Sequence, residues 1–223
     1  MPAGGTGLVL RGLRKEPATI GKWHLGWDLT YKEGKAKTVD NIDFTKRVAN
    51  GPTDRGFDYF YGLTSPSGPP HLYMVNDMAE KQPNTRFEES GGGLYKIKGG
   101  IGHSDWSADG MQPHLADKML EYLDENKDSD KPFFLYMALT APHIPLFPSK
   151  EFKGKSKIGD YGDLVMMIDD IVGRVNRKLK EIGKYDNTIV MFAADNGCAG
   201  YINMDRINRK GHYPSYRSEE RRV

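Results

Sequence analysis

Two continuous apolar runs of strand length, with one long amphipathic helix between them, constrain this chain more than any other feature. Phe133–Thr140 reads FFLYMALT behind Pro132, and Thr188–Ala194 reads TIVMFAA and stops at Asp195-Asn196-Gly197. Runs of this kind suit strands buried on both faces, as in a parallel sheet covered by helices. Between them Tyr161, Leu164, Val165, Ile168, Val172, Val175, Leu179 and Ile182 recur at three- and four-residue spacing, which predicts a helix. Its other face would carry Asp163, Asp169, Asp170, Arg174, Arg177 and Lys178, and Gly183 supplies a stop. Strand, helix and strand with short links make a βαβ unit. The expected fold class is therefore α/β, a mostly parallel sheet flanked by helices.

A second helix is expected from Pro113 to Asn126, with Leu115, Met119, Tyr122 and Leu123 turned inward. Upstream, the short strand-like run Ala18–Gly21 breaks into Gly21-Lys22-Trp23-His24-Leu25-Gly26. Residues 27–111 read differently, with Gly/Pro clusters at Asn50-Gly51-Pro52, Ser65–Pro70 and Gly91–Gly93 and little periodicity. A structureless stretch of that length either lines a functional site or is plain surface loop.

Charge and composition remove several classes of function. The 223 residues hold 32 Lys and Arg against 30 Asp and Glu, a formal charge of +2. Residues 202–223, with six basic and three acidic side chains, carry all of that excess. No basic field is left for non-specific nucleic-acid binding. Mean hydropathy is −0.64, and no apolar run approaches the roughly 18 residues of a membrane span. A single cysteine excludes an internal disulfide framework and a Cys-cluster zinc site. The apolar run Leu8–Leu10 is too short for a secretory leader, so either the protein stays in the cytoplasm or its true start lies elsewhere.

In open α/β sheets ligands bind outside the carboxyl ends of the strands. Lys22 and His24 follow the first run, His143 the second, and Asp195 and Asn196 the third. Each has a plainer reading: a solvated lysine, a hydrogen-bonded histidine, a loop, a simple turn. Their convergence at one sheet edge favours a site. The inventory suits an oxyanion substrate, because a lysine binds one sulfate or phosphate oxygen as a point charge. Two histidines can divide acid and base work near neutral pH. Asp195 and Asn196 offer two hard oxygens, part of a Ca²⁺ or Mg²⁺ site that would need six or more.

Gly21–Gly26 resembles the second signature of the sulfatases. Further matches follow in that family's order: Thr53–Gly62 (TDRGFDYFYG), Pro132–Tyr136 leading to Ala141-Pro142-His143-Ile144-Pro145, Gly159–Asp163 (GDYGD) and Asp195–Cys198. The likeness covers residues 17–200, with Gly211–Ser215 as an outlying match. It implies an alkaline phosphatase-like fold and an arylsulfatase-type sulfuric-ester hydrolase. In that family Lys22 would hold a sulfate oxygen and His24 would act on the hydrated aldehyde nucleophile. His143 would contact the ester and protonate the leaving alcohol. Asp195 and Asn196 would ligate Ca²⁺ (ahead of Mg²⁺), with Asp195 also assisting at the nucleophile. The substrate would be a sulfated small molecule or sulfated carbohydrate, and relatives of this kind are usually secreted, periplasmic or lysosomal.

Three family features are missing from these 223 residues. No C/S-x-P/A-x-R motif, the source of the formylglycine nucleophile, occurs anywhere. Cys198 is followed by Ala-Gly-Tyr-Ile and is not that cysteine, and Asp169-Asp170 is not the family's N-terminal aspartate pair. No second sulfate-binding lysine follows the Asp-Asn-Gly turn in its Gly-rich setting. The expected organisation is a poorly matching segment at 1–16, a partial catalytic domain at 17–200 and a basic tail at 201–223. Such a chain would be an inactive fragment cut at both ends. A phosphoester or phosphonate hydrolase of the same superfamily and a non-catalytic remnant are the alternatives.

Overall fold

The computed structural model describes residues 16–195. Its main sheet has five strands in the order β4-β3-β2-β1-β7. These are β1 (Glu16–Lys22), β2 (Tyr59–Leu63), β3 (Met74–Val75), β4 (Met78–Ala79) and β7 (Phe133–Ala138). A separate ribbon pairs β5 (Thr85–Phe87) with β6 (Gly100–Gly102). β1 runs parallel to both neighbours, with Gly21 opposite Gly62 on β2 and Ala138 on β7. Among the described residues the α-helices are α1 (Met111–Glu125) and α2 (Asp160–Glu181).

Successive strand residues point to opposite faces, and β2 uses both. Tyr61 and Leu63 join Ala18, Ile20, Leu115, Met119, Leu164, Met167 and Ile171 in the core under the helices. Phe60 enters a second core with Ile42, Phe44, Val48, Leu72 and Met74. One sheet face is thus packed by helices and the other by the segment that precedes and follows β2. Residues 27–111, read as structureless, contain five of the seven strands found among the described residues. Their runs of two to five residues are too short for a period to show.

Gly21 and Gly62 are required by close approach. A Cβ on Gly62 would stand 1.8 Å from the Gly21 carbonyl oxygen, and one on Gly21 would stand 2.0 Å from that of Ala138. Gly21 also has φ 132°. These glycines let β1 sit centrally between two parallel neighbours right up to the point where Lys22 leaves it.

α1 begins at Met111 behind Gly110, two residues before the expected start, and buries Leu115, Ala116, Met119, Tyr122 and Leu123. α2 ends in a Schellman arrangement. Gly183 (φ 69°) donates to the Lys180 carbonyl and Lys184 to that of Leu179. Its inward face is rotated slightly from the periodic reading. Met167 and Ile171 are buried, whereas Val165 is 43 % exposed.

Asp163 corrects the sequence reading outright. Assigned to the polar face, it is fully buried and accepts backbone N–H bonds from Gly154 (2.7 Å) and Ser156 (2.5 Å). Periodicity registers only polarity and cannot see the amides that a neighbouring loop supplies. Gly162 leaves room for that loop, since a Cβ there would meet Ser156 Oγ at 2.0 Å. Asp163→Ala strands two buried donors and is expected to cost about 2–4 kcal/mol of unfolding free energy. Urea unfolding checks this; a loss below about 0.5 kcal/mol would mean that water replaces the carboxylate.

The third predicted strand does not form. Residues 188–194 take no strand pairing, and Ile189, Met191 and Phe192 are 87 %, 82 % and 70 % exposed. Among the described residues β7 is accordingly an edge strand, half-buried with Tyr136 53 % exposed, not a strand covered on both faces. An apolar run carries the propensity to be a strand, but a place in a sheet needs a partner edge.

Candidate active site

Lys22 is the last residue of β1, and the ladder to β2 continues one step beyond it through Trp23 N–H to the Leu63 carbonyl (3.0 Å). The chain then turns sharply. The Trp23 indole N–H donates to the Gly26 carbonyl (3.0 Å), and His24 at the apex takes φ 47°. A histidine in the left-handed region costs energy that the surrounding turn must supply, a condition common at working sites. His24 is exposed at this apex while Lys22 beside it is half-buried.

His143 comes to the same place from β7. The strand ends at Ala138, opposite Gly21, and a turn closed by His143 N–H to the Thr140 carbonyl (3.2 Å) presents the imidazole. Thr140 is pinned from α1. With the amide oxygen of buried Gln112 facing it, that oxygen accepts from the Thr140 N–H at 3.0 Å and from the Ala141 N–H at 2.5 Å. His143 Nδ1 lies 2.6 Å from the Ile144 carbonyl oxygen. The proton therefore sits on Nδ1, and Nε2 of the exposed ring faces solvent chemistry.

Lys22, His24 and His143 are close enough to act on one another electrostatically. Partial desolvation of the ring lowers the His24 pKa from its ordinary value of 6.5, and the electrostatic influence of Lys22 and then of the His143 imidazole lowers it further. The shift favours the neutral form of His24 beside the lysine. Such a cluster can bind an oxyanion through the ammonium, accept a proton on one imidazole and donate one from the other.

The remaining predicted ligands do not join this cluster in the described structure. Asp195 is exposed at the end of the unpaired segment, and Asn196 lies outside the described residues, as do residues 1–15 and the tail. Among the described residues no three His, Cys, Asp or Glu side chains are gathered as a metal ion would need. The described residues by themselves therefore do not gather a Ca²⁺ site.

Two further histidines, His71 and His103, serve the core or the surface. His71 is buried, packed at a tilt against Trp106 (ring centroids 4.5 Å apart), with Nε2 2.7 Å from the Lys98 carbonyl oxygen. His103 pairs through Nδ1 with the exposed carboxylate of Asp105. A third, His114, was passed over by the sequence reading. Its Nε2 lies 2.6 Å from the Tyr61 hydroxyl, which donates to Glu80 at 2.7 Å. Nothing in the spacing of residues 61, 80 and 114 announces that network; the register of β2 against α1 creates it.

The Sulfatase family model matches residues 9–218. N-acetylgalactosamine-6-sulfatase of Sus scrofa is 31 % identical over 195 residues, covering 86 % of this chain and 32 % of the relative. The protein of the same name in Rattus norvegicus is 32 % identical over 180 residues, with coverages of 81 % and 30 %. N-acetylgalactosamine-6-O-sulfatase of Bacteroides thetaiotaomicron is 27 % identical over 230 residues, with coverages of 87 % and 43 %. The chain thus spans between 30 % and 43 % of the length of these curated relatives. Among solved structures, a 6S-sulf protein described with glycosaminoglycan metabolism by Bacteroides thetaiotaomicron superposes with TM-score 0.68 at 23 % identity. That match covers 92 % of this chain and 48 % of the other. PsFucS1 sulfatase from Pseudoalteromonas gives 0.59 at 23 %, with coverages of 86 % and 37 %. At these identities the two structures show a shared fold.

Proposed function

This chain belongs to the sulfatase family, and from that membership we propose that Lys22, His24 and His143 are the sulfate-handling side of a sulfuric-ester hydrolase site. The observation that carries the reading is the convergence of these three side chains at the carboxyl ends of the adjacent parallel strands β1 and β7. The relatives' names make a sulfated carbohydrate the substrate class to test first.

Each residue has a separable task. The Lys22 ammonium takes a non-bridging sulfate oxygen and offsets charge that grows on it as the ester bond lengthens. His143, with Nδ1–H fixed on the Ile144 carbonyl, works through Nε2. Protonated there, it donates to the leaving oxygen and spares the alcohol from departing as an alkoxide. His24, favoured in its neutral form, is the base of the cluster. We place Asp195 and Asn196 as two oxygen ligands of the family's Ca²⁺, a hard cation suited to such donors. The nucleophile motif is not among these 223 residues, so the hydrolysis proposed is that of a polypeptide that also carries it.

Inorganic sulfate tests the cluster without requiring turnover. Titration of the labelled 223-residue chain is expected to move the Trp23 indole resonance saturably, and Lys22→Ala to weaken binding at least about tenfold. A bound dianion raises the pKa of nearby histidines, so the complex holds more protons than the free protein. Affinity should therefore rise as pH falls from 8 through 6.5, the ordinary value from which His24 is displaced. A pH-independent affinity, or one that Lys22→Ala leaves alone, would remove the assignment.

A further inference from the structure

The loop from Leu139 to Phe147 presents His143 and belongs to neither sheet nor helix, so its backbone amides need partners from outside regular structure. Pro142 and Pro145 have no N–H to offer. The Leu146 N–H donates to the Leu94 carbonyl (2.9 Å) and ties the far end of the loop. A side chain ties the near end. The amide oxygen of Gln112, on the first turn of α1, accepts from the Thr140 N–H, the Ala141 N–H and the Thr140 hydroxyl.

Three donors on one buried oxygen make a peg. Gln112 and Thr140 are both buried, though 28 positions separate them in the chain. The peg stands on a rigid element, because Leu115 and Met119 anchor α1 in the main core. It also grips the part of the loop that matters. The Ala141 N–H and the Thr140 carbonyl belong to one planar peptide unit. Gln112 holds the N–H end of that unit, and its carbonyl end takes the His143 N–H at 3.2 Å. The His143 ring in turn keeps Nδ1 at 2.6 Å from the Ile144 carbonyl oxygen. Rotation of the 140–141 peptide would release the first of these links and free the ring to leave the second.

We propose that Gln112 is a positioning residue of the site: by holding the Thr140–Ala141 peptide it keeps the His143 proton on Nδ1 and leaves Nε2 as the atom offered to a leaving group. Gln112 itself meets no substrate. An unconstrained neutral imidazole exchanges its proton between the two nitrogens, and a carbonyl fixed beside one of them selects the tautomer. What the position requires is an acceptor oxygen, not a side chain of that size. The inference rests on the proposed role of His143 as the acid of the site, since the selected tautomer has a task only there.

Nitrogen-15 spectra of the histidine rings read the tautomer directly at about pH 8, where an ordinary imidazole is neutral. In the labelled 223-residue chain His143 is expected mainly as the Nδ1–H form. Gln112→Met fills the same space without an acceptor. It should move the His143 tautomer ratio at least about fivefold toward Nε2–H and speed amide exchange at Thr140 and Ala141 at least about tenfold. Gln112→Glu keeps an accepting oxygen and should restore both. His71 is the internal control: its Nε2 sits on a different carbonyl, that of Lys98, and its tautomer should stay the same in either variant. Three results overturn the proposal: a His143 ratio that ignores Gln112→Met, a Glu variant that behaves like the Met variant, or a change at His71 as large as that at His143. Should Gln112→Met fail to fold, Gln112→Asn, shorter by one methylene, withdraws the same oxygen and carries the same expectations. Sulfate tests the underlying reading separately. If the His143 ratio follows Gln112 but sulfate leaves the Trp23 indole unmoved, the positioning stands and the sulfate site fails. If sulfate moves Trp23 while the ratio ignores Gln112, the sulfate site stands and the positioning is overturned.

Discussion

Purified as these 223 residues, the protein hydrolyses 4-methylumbelliferyl sulfate with a turnover number below roughly 10⁻³ s⁻¹, against the ~1–10³ s⁻¹ usual for enzymes. The reason is chemical. In the proposed site Lys22 would hold a sulfate oxygen and His143 would protonate a leaving group, but neither forms the new bond to sulfur. A hydrolase deprived of its nucleophile loses about 10⁶ in rate, and what survives comes from binding and electrostatics alone. The 223 residues contain no C/S-x-P/A-x-R sequence from which the family's nucleophile is made. Sulfate binding and turnover are thus expected to separate: the first present and sensitive to Lys22→Ala, the second absent. The check is a long fluorescence assay of the wild-type chain beside His143→Ala. Turnover near 1 s⁻¹ that His143→Ala abolishes would show that another side chain or water attacks at this site. It would also sink the reading of the chain as a non-catalytic remnant.

The second large effect is self-association. Ile189, Met191 and Phe192 present nearly their whole side chains to solvent, and among the described residues the outer edge of β7 pairs with nothing. An open strand edge and an exposed, unpaired apolar segment in one molecule are together a template for another copy. Burying three such side chains gains roughly 4–8 kcal/mol before the cost of association. Sedimentation of the 223-residue chain should therefore show concentration-dependent dimers or larger species at micromolar concentration, with broad and poorly reversible thermal unfolding. Replacing all three by serine should return a monomer and shift the association constant by about 10³-fold or more. These side chains make little contact with the core, so the variant keeps its fold, and the far-ultraviolet dichroism should be unchanged. A wild-type chain that stays monomeric at 100 μM (roughly a hundred times the expected midpoint), with one sharp reversible transition, contradicts this.

The three residues of the proposed site were legible in the sequence. The residue types at Lys22, His24 and His143 follow strand-like runs, and in a parallel sheet that position alone brings them to one edge. The helices were legible because their apolar faces recur along the chain. What failed did so for one physical reason. The run at 188–194 has the composition of a strand, but strand pairing is a property of two segments, and composition describes one. The same limit hid β2, whose Tyr59–Leu63 run is short and broken by Gly62. That glycine is present because the Gly21 carbonyl passes 1.8 Å from where a Cβ would be.

By itself the sequence determined the family, the α/β class and the two helices, and it singled out the three side chains proposed as an oxyanion cluster, since each is written in local composition, spacing or motif. Only the tertiary structure decided the rest. It buried Asp163 against the amides of Gly154 and Ser156 and set Trp106, Tyr95 and Phe147 around one cleft. It lowered the His24 pKa through burial and the nearness of Lys22 and His143. Each of these depends on groups far apart in the chain meeting at distances of a few ångströms, and no linear pattern encodes such a meeting.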